Sequence, residues 1–296
     1  MNVLLTYLNR VREIKESGIA SLERSYYPAL DTLFNTLGAS LSPKVLAIHD
    51  ISDQGSGHPD YALQVDGTHD LRAVIEAKPA NIDVTVIMQS DQVRRYLSAY
   101  NLCLVVNLRD FALVHMGRND QVELIMRYPL ATDERTFWRT TPEILAKQHN
   151  DGLADFLISV LTWNATISRP KDLAEALARY ARETLRRLER QSAEALAPLR
   201  EALSKVLGLH FTDEDGEHFF RSSLVQTLFY GLFSAWAVWN RNSVTGDQFR
   251  WREAGDYLSL PVLRELFERI AIPSQLEMLD IRRPLEWAEA TLRRTS

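Results

Sequence analysis

Every strand-like segment of this chain lies before residue 130, and from about Pro142 onward only helical periods remain. That asymmetry constrains the fold more than any other feature, because strands need partners within the same sheet and helices must cover it. Short aliphatic or β-branched runs bounded by Gly, Pro, Asn and Asp fall at 45–48, 60–65, 71–78, 102–107 and 111–115, with a weaker one at 122–126. Helical spacing covers 4–17 and 22–37, where Pro28 implies a kink or a late start, and a helix is expected over 84–100. The expectation is an α/β unit with a mixed sheet flanked by helices, spanning 1–168, followed by an all-α domain over 169–296. Residues 171–207 are rich in strong helix formers, and Thr212 before Asp213, Glu214 and Asp215 reads as an N-cap with acids in the first turn.

The most apolar run, 224–239, contains Gln226, Thr227 and Ser234 and is shorter than the roughly 20 residues a bilayer span needs, so a buried core helix is expected. The first residues lack the pattern of a signal peptide. A single cysteine, Cys103, excludes an intrachain disulfide framework and fits a reducing, cytoplasmic compartment. It sits in an apolar strand and is expected to be inert. The net charge of −5 excludes a basic nucleic-acid coat protein but not an enzyme with a local binding patch. All of that excess falls in residues 1–165, which carry 15 Lys and Arg against 20 Asp and Glu; the remainder is balanced at 19 and 19.

The segments 60–65 and 71–78 flank a five-residue polar turn and read as an antiparallel hairpin. With Val65 opposite Leu71, paired numbers sum to 136, and Asp60 lies opposite Glu76 with Lys78 on the same face. Opposed carboxylates about 5 Å apart repel and call for a cation between them. Hard oxygen donors on a short span suit Mg²⁺, and a neighbouring lysine can orient water or stabilise charge developing on phosphate. The arrangement depends on register, since a one-residue slip separates the two acids onto opposite faces. The plainer reading makes Asp60 a turn residue and Glu76–Lys78 a solvated strand end. Gln92 and Tyr96, four apart on one helical face, Glu23 heading an apolar stripe, and the Gly55–Gly57 loop are further polar or permissive features beside the pair. Taken singly, each also reads as a surface glutamine, a core aromatic, a helix-start acid and a turn.

Pro59-Asp60, Glu76-Ala77-Lys78 and Gln92-x-x-x-Tyr96 together resemble the PD-(D/E)XK nuclease superfamily, in particular its RecB-like branch. The wider stretches 23–30 (ERSYYPAL), 55–60 (GSGHPD), 76–79, 90–96 (SDQVRRY) and 106–111 (VNLRDF) resemble the N-terminal nuclease module of fused restriction–modification enzymes of the type ISP and type IIG kind. Residues 213–239 are similar to the helical spacer that follows in such proteins. The resemblance implies a PD-(D/E)XK restriction-endonuclease-like fold and metal-dependent hydrolysis of double-stranded DNA in a prokaryotic restriction or related anti-phage system. It implies that Asp60 and Glu76, with the Ala77 carbonyl, bind Mg²⁺, for which Mn²⁺ can substitute. It implies that Lys78 positions the attacking water, that Gln92 and Tyr96 hold the site and the DNA backbone, and that Glu23 is an accessory acid.

Neither methyltransferase motifs nor a Walker A sequence occurs in the chain, so methylation or translocation belongs to a separate methyltransferase or motor polypeptide, or to a part outside these residues. No Gly-x-Ser-x-Gly elbow supports serine hydrolysis, and Glu217-His218 lacks a second ligand at metal spacing. For DNA contact the sequence offers Arg94, Arg95, Arg109, Arg118 and Arg127, and a basic edge of Arg182, Arg186, Arg187 and Arg190 interleaved with Glu183 and Glu189. The competing class is a catalytically silent DNA-binding or scaffold component of an adenine-N6 methyltransferase complex; a third reading makes the helical half an interaction subunit.

Overall fold

The computed structural model describes residues 2–18, 23–49, 57–117, 119–207, 211, 213–243 and 247–295. The chain divides into two compact units, Met1–Ala165 and Thr166–Ser296. The first is a six-stranded mixed sheet flanked by helices, and the second is helical.

In the first unit the strands run in chain order across the sheet: β1 (Val45–His49), β2 (Tyr61–Val65), β3 (Leu71–Ala77), β4 (Leu102–Val106), β5 (Asp110–Met116) and β6 (Val122–Pro129). All neighbours are antiparallel except β3 and β4, which pair parallel, Glu76 opposite Val105. A parallel pair needs a crossover, and helices α3 (Val84–Met88) and α4 (Asp91–Tyr100) supply it. The single helix expected over 84–100 is therefore two. The break falls where the Ser90 side chain accepts from the Val93 N–H at 3.2 Å, so Ser90 caps a new helix instead of continuing the old one.

The two faces of the sheet are both covered. Val74, Cys103, Val105, Ala112 and Val114 pack against Val93, Tyr96 and Leu97 of α4 and Val84 and Ile87 of α3. On the other face α1 (Val3–Glu16), α2 (Tyr27–Gly38) and α6 (Pro142–Leu161), the last preceded by the short α5 (Glu134–Arg139), lie over the sheet; Tyr7 of α1 meets Phe111 edge-on at 6.4 Å, and Phe34 of α2 meets Tyr61 at 6.0 Å. Burial on both faces explains why β3 and β4 read as nearly unbroken apolar runs. It also isolates Glu76, the only acid within β3. At Pro28 the late start is what occurs: a 3₁₀ turn, Glu23–Tyr26, precedes α2, with the proline in its first turn.

The hairpin of β2 and β3 holds the sum of 136 from Tyr61–Ile75 to Leu63–Ala73. A bulge between Leu63 and Gln64 then shifts the pairing, so Gln64 rather than Val65 faces Leu71. The turn draws in the extra residue through Val65 N–H to the Asp70 carbonyl at 2.9 Å and Thr68 N–H to the Val65 carbonyl at 3.1 Å. The shift is confined to the turn end, so Asp60 and Glu76 lie one step beyond the last regular pair in the unshifted register.

The β4–β5 connection is pinned from several sides. Leu108 adopts φ 69°, unusual for a branched apolar residue, and its carbonyl accepts from the Tyr7 hydroxyl at 2.7 Å. Asn107 donates to the Ile82 carbonyl at 2.7 Å. Arg109, offered by the sequence as a DNA contact, is only 5% exposed and donates to the carbonyls of Ala80 and Ala131 at 3.2 and 3.3 Å. Its guanidinium ties the turn to the segments that follow β3 and β6, so it is withdrawn from the surface.

In the second unit α7 (Pro170–Glu189), α8 (Ala193–Leu207), α9 (Asp213–Asn242), α10 (Pro261–Ile270), α11 (Pro273–Leu279) and α12 (Arg282–Leu292) surround a core that includes Leu188, Leu224, Leu228, Phe267 and Leu285. Thr212 lies outside the described residues, as do the side chains of Asp213, Glu214 and Asp215. No described helix is long and apolar enough to cross a membrane. A buried core helix is expected from the composition of this run, but α9 is buried on one side: Leu224, Leu228 and Leu232 are enclosed, whereas Tyr230 is 72% exposed and Phe233 is also exposed. A cavity of about 770 Å³ within this unit, lined by Leu173, Leu177, Val225, Phe229 and Phe233 among others, opens along that face.

Removing the Arg109 guanidinium strands buried carbonyls. Arg109→Ala is expected to lower unfolding free energy in urea by about 3 kcal/mol, while Arg95→Ala, at an exposed position, stays within about 0.5 kcal/mol.

Candidate functional site

The carboxyl end of β3 is where the sheet changes from antiparallel to parallel pairing. Glu76 is the penultimate residue of β3 and is 1% exposed. Lys78 follows the strand, and its N–H continues the parallel pairing to the Val106 carbonyl at 2.7 Å, which fixes where its side chain starts. The Lys78 ammonium lies 2.5 Å from Glu76 Oε1 and donates to the Ala77 carbonyl at 3.3 Å. A carboxylate taken out of water to this degree needs both charge and hydrogen-bond compensation.

The second compensating donor comes from α4. Gln92 Nε2 donates to Glu76 Oε2 at 3.0 Å and to the Tyr96 hydroxyl at 2.8 Å. Four-residue spacing puts Gln92 and Tyr96 on one face of α4, and the Ser90 cap sets where that helix begins. The Tyr96 hydroxyl in turn donates to the His58 carbonyl at 2.7 Å. Gly57, at φ 95°, takes a backbone conformation that only glycine adopts freely, immediately before the residue whose carbonyl meets the tyrosine. Lys78, Glu76, Gln92, Tyr96 and the backbone at His58 thus form one continuous polar chain. Gly55 and Ser56 lie outside the described residues, and the His58 ring is exposed.

Asp60, half-buried before β2, joins this set from the other side. Its Oδ2 accepts from the Ala77 N–H at 2.7 Å, which ties it to the residue between Glu76 and Lys78. Its Oδ1 accepts from the Tyr27 hydroxyl. The structure therefore brings Asp60, Glu76, Ala77, Lys78, Gln92 and Tyr96 together. Glu23 begins the 3₁₀ turn before α2, and its side chain lies outside the described ones, so its role as accessory acid remains an expectation.

Tyr27 is the residue that sequence reasoning passed over. Tyr26 and Tyr27 both belong to the stripe that Glu23 heads, and helical spacing does not say which of two adjacent tyrosines turns toward the acid. The 3₁₀ turn before α2 decides it: Tyr26 is buried, while Tyr27 opens α2 and reaches Asp60.

Burial pushes the Tyr96 phenol up to about 12 from its ordinary 10.0; the Gln92 hydrogen bond opposes the rise, and the nearby Glu76 and Asp60 charges add to it. The Cys103 thiol, fully buried against the same core, is raised well above its ordinary range, as an inert packing residue should be. Among the described residues no group of three or more His, Cys, Asp or Glu side chains is placed to hold a metal. The set at the end of β3 is of a different composition, two carboxylates and a backbone carbonyl, all hard oxygen donors.

The arginines divide. Arg95 is exposed, Arg94 donates to the Asp120 carbonyl at 3.2 Å, and Arg127 is paired with the fully buried Asp110 at 2.5 Å. Arg118 lies outside the described residues. On α7, Arg186 and Arg187 both pair with Glu183, and Arg187 also pairs with Asp280 and lies over the Trp287 ring. These two arginines are engaged within the helical unit, whereas Arg182 and Arg190 are exposed.

No family model matches the chain, and no curated protein sequence matches it. Among solved structures it is similar to the cryo-electron microscopy structure of a DrdV–DNA complex, with a TM-score of 0.40 and 14% sequence identity. The match covers 97% of this chain and 26% of that one, so the chain spans about a quarter of that protein's length. Likeness of this degree carries no inference about activity.

Tyr96→Phe removes the hydroxyl that joins Gln92 to the His58 carbonyl and is expected to cost about 1–2 kcal/mol in urea unfolding at neutral pH. Because the folded-state pKa is raised, the protonated phenol is the form that folding favours. Its contribution is complete below pH 10 and is lost as pH rises through about 12. The stability gap between the native chain and Tyr96→Phe should therefore be constant below pH 10 and narrow above it.

Proposed function

We propose that this chain is a Mg²⁺-dependent DNA endonuclease module of a prokaryotic restriction–modification or related anti-phage system, acting on double-stranded DNA. The observation that carries the reading is the convergence of Asp60, Glu76, Lys78, Gln92 and Tyr96 at the end of β3, joined by hydrogen bonds rather than scattered over a solvated surface. Such a network is costly to bury and has no packing purpose that apolar residues would not serve better.

The donor set fits a hard divalent cation. Asp60, Glu76 and the Ala77 carbonyl would hold it, and two of these already face a positive charge in the Lys78 ammonium. When bound, Mg²⁺ supplies Lewis acidity toward a phosphate oxygen and lowers the pKa of water. The chain's own residues do the rest. Lys78, 24% exposed at its side chain, keeps solvent access next to the acids, and it orients the attacking water and balances charge on the phosphate. Gln92 holds Glu76 in one rotamer and is itself held by Tyr96, whose hydroxyl anchors the loop before Asp60. The first unit carries the whole excess of acid, so its hold on DNA depends on local cations such as Arg95 and on help from outside the chain.

The exposed aromatic face of α9, with Tyr230 and Phe233 beside the cavity, favours a supporting role for the helical unit in contacting a partner polypeptide; by this reading the partner is the methyltransferase or motor of the same system.

The test is cleavage of supercoiled plasmid with Mg²⁺ or Mn²⁺. Asp60→Ala and Lys78→Ala are each expected to reduce the rate by about 100-fold or more. Cleavage that persists unchanged in both variants overturns the assignment and leaves a non-catalytic DNA-binding or scaffold role.

A further inference from the structure

Resting on that reading, we infer that Tyr27 is a positioning residue for the cation site, and that His49 is the platform that holds Tyr27 in place. Asp60 is the one acid of the set that lies outside a strand, so the sheet alone does not fix its side chain. Two donors do so. The Ala77 N–H engages Oδ2 at 2.7 Å, and the Tyr27 hydroxyl engages Oδ1. An ionised carboxylate offers about four lone-pair sites, so one bond at each oxygen orients the group and leaves acceptor capacity on both for a cation.

The second observation is how firmly Tyr27 itself is held. Its ring stacks on His49 at 5.4 Å between centroids and 14° between planes. The Tyr61 ring lies 5.3 Å away on a tilt, and the Tyr61 hydroxyl donates to the Tyr27 carbonyl at 3.0 Å. His49 is fixed in turn: its ring is 4.1 Å from that of Tyr61, and its Nε2 lies 2.7 Å from Asp31 Oδ1. Asp31 sits one turn along α2 from Tyr27, so a single helix face supplies both the hydroxyl that reaches Asp60 and the carboxylate that orients the platform. A tyrosine serving only as core filler needs neither a defined ring plane nor its hydroxyl on an acid. Here ring, carbonyl and hydroxyl are each separately engaged, and they converge on the one ligand the sheet leaves loose.

Outer partners of metal-binding carboxylates commonly set affinity, and their loss weakens it by roughly 10–100-fold. Mn²⁺ binding to the full chain, followed by electron paramagnetic resonance without DNA, reads this directly. Wild type, Asp60→Asn, Tyr27→Phe, His49→Ala and His49→Phe are compared, with thermal unfolding of each to confirm a folded chain. Tyr27→Phe keeps the ring and removes only the hydroxyl, and it is expected to raise the Mn²⁺ dissociation constant by about tenfold or more. Its plasmid cleavage should fall further at low Mn²⁺ than at saturating Mn²⁺. His49→Ala should weaken binding to a lesser degree, and His49→Phe, which restores a ring, should recover most of it.

If Asp60→Asn abolishes binding while Tyr27→Phe binds as tightly as wild type or tighter, the positioning role is overturned and the nuclease reading stands. If His49→Phe recovers nothing over His49→Ala, the platform role is overturned. If wild type binds no Mn²⁺, or Asp60→Asn binds as wild type does, the cation site itself falls and Tyr27's role with it.

Discussion

One buried carboxylate organises the first unit. Glu76 sits in a strand covered on both faces, where an apolar residue would be the ordinary choice, and it stays there because Lys78 and Gln92 engage its two oxygens. Each donor imposes a requirement of its own. The lysine must follow the glutamate by two residues, which the parallel bond to Val106 secures. The glutamine must come from a helix that begins at the right height over the sheet, which the Ser90 cap secures. The two-helix crossover, the break at Ser90 and the tyrosine four residues on all follow from bringing an amide to that carboxylate.

The same logic orders the opposite side. Asp60 lies just outside the hairpin, within reach of side chains from both faces of the sheet. From α4 the Tyr96 hydroxyl reaches the loop before it, and from α2 the Tyr27 hydroxyl reaches the acid itself. Two tyrosines from opposite faces of the sheet thereby hold the one segment of the site that regular pairing leaves unfixed. The β2–β3 bulge shows how local this control is. It displaces the pairing at the turn while the register beside the acids is kept, because the bulge is absorbed by hydrogen bonds within the turn and not passed along the strands.

Much of this was legible in the residues. Alternation and turn chemistry located the six strands to within a few positions, and the expected register holds from Tyr61–Ile75 to Leu63–Ala73, although the pair from which it was counted, Val65 with Leu71, is displaced by the bulge. Gln92 and Tyr96 were readable as one helical face. What failed was of one kind: positions whose role depends on a long-range partner. The helix expected over 84–100 ignored competition from a serine cap. Arg109 looked like a surface cation because nothing local says that two distant segments, at Ala80 and at Ala131, will offer it carbonyls. The run at 224–239 looked uniformly buried because composition does not say which side of a helix meets a core.

The sequence by itself determined the division into a strand-bearing and a helical part, the hairpin, and the acid–lysine spacing, since these depend on periods of two and 3.6 residues and on turn-forming residues close in the chain. Only the tertiary structure decided which of two adjacent tyrosines meets Asp60, that a histidine from β1 stacks beneath it, and that the glutamine four residues before Tyr96 ends on Glu76. Those contacts join residues from 16 to 33 positions apart. Their geometry is set by how helices pack across a sheet, and no local period carries that information.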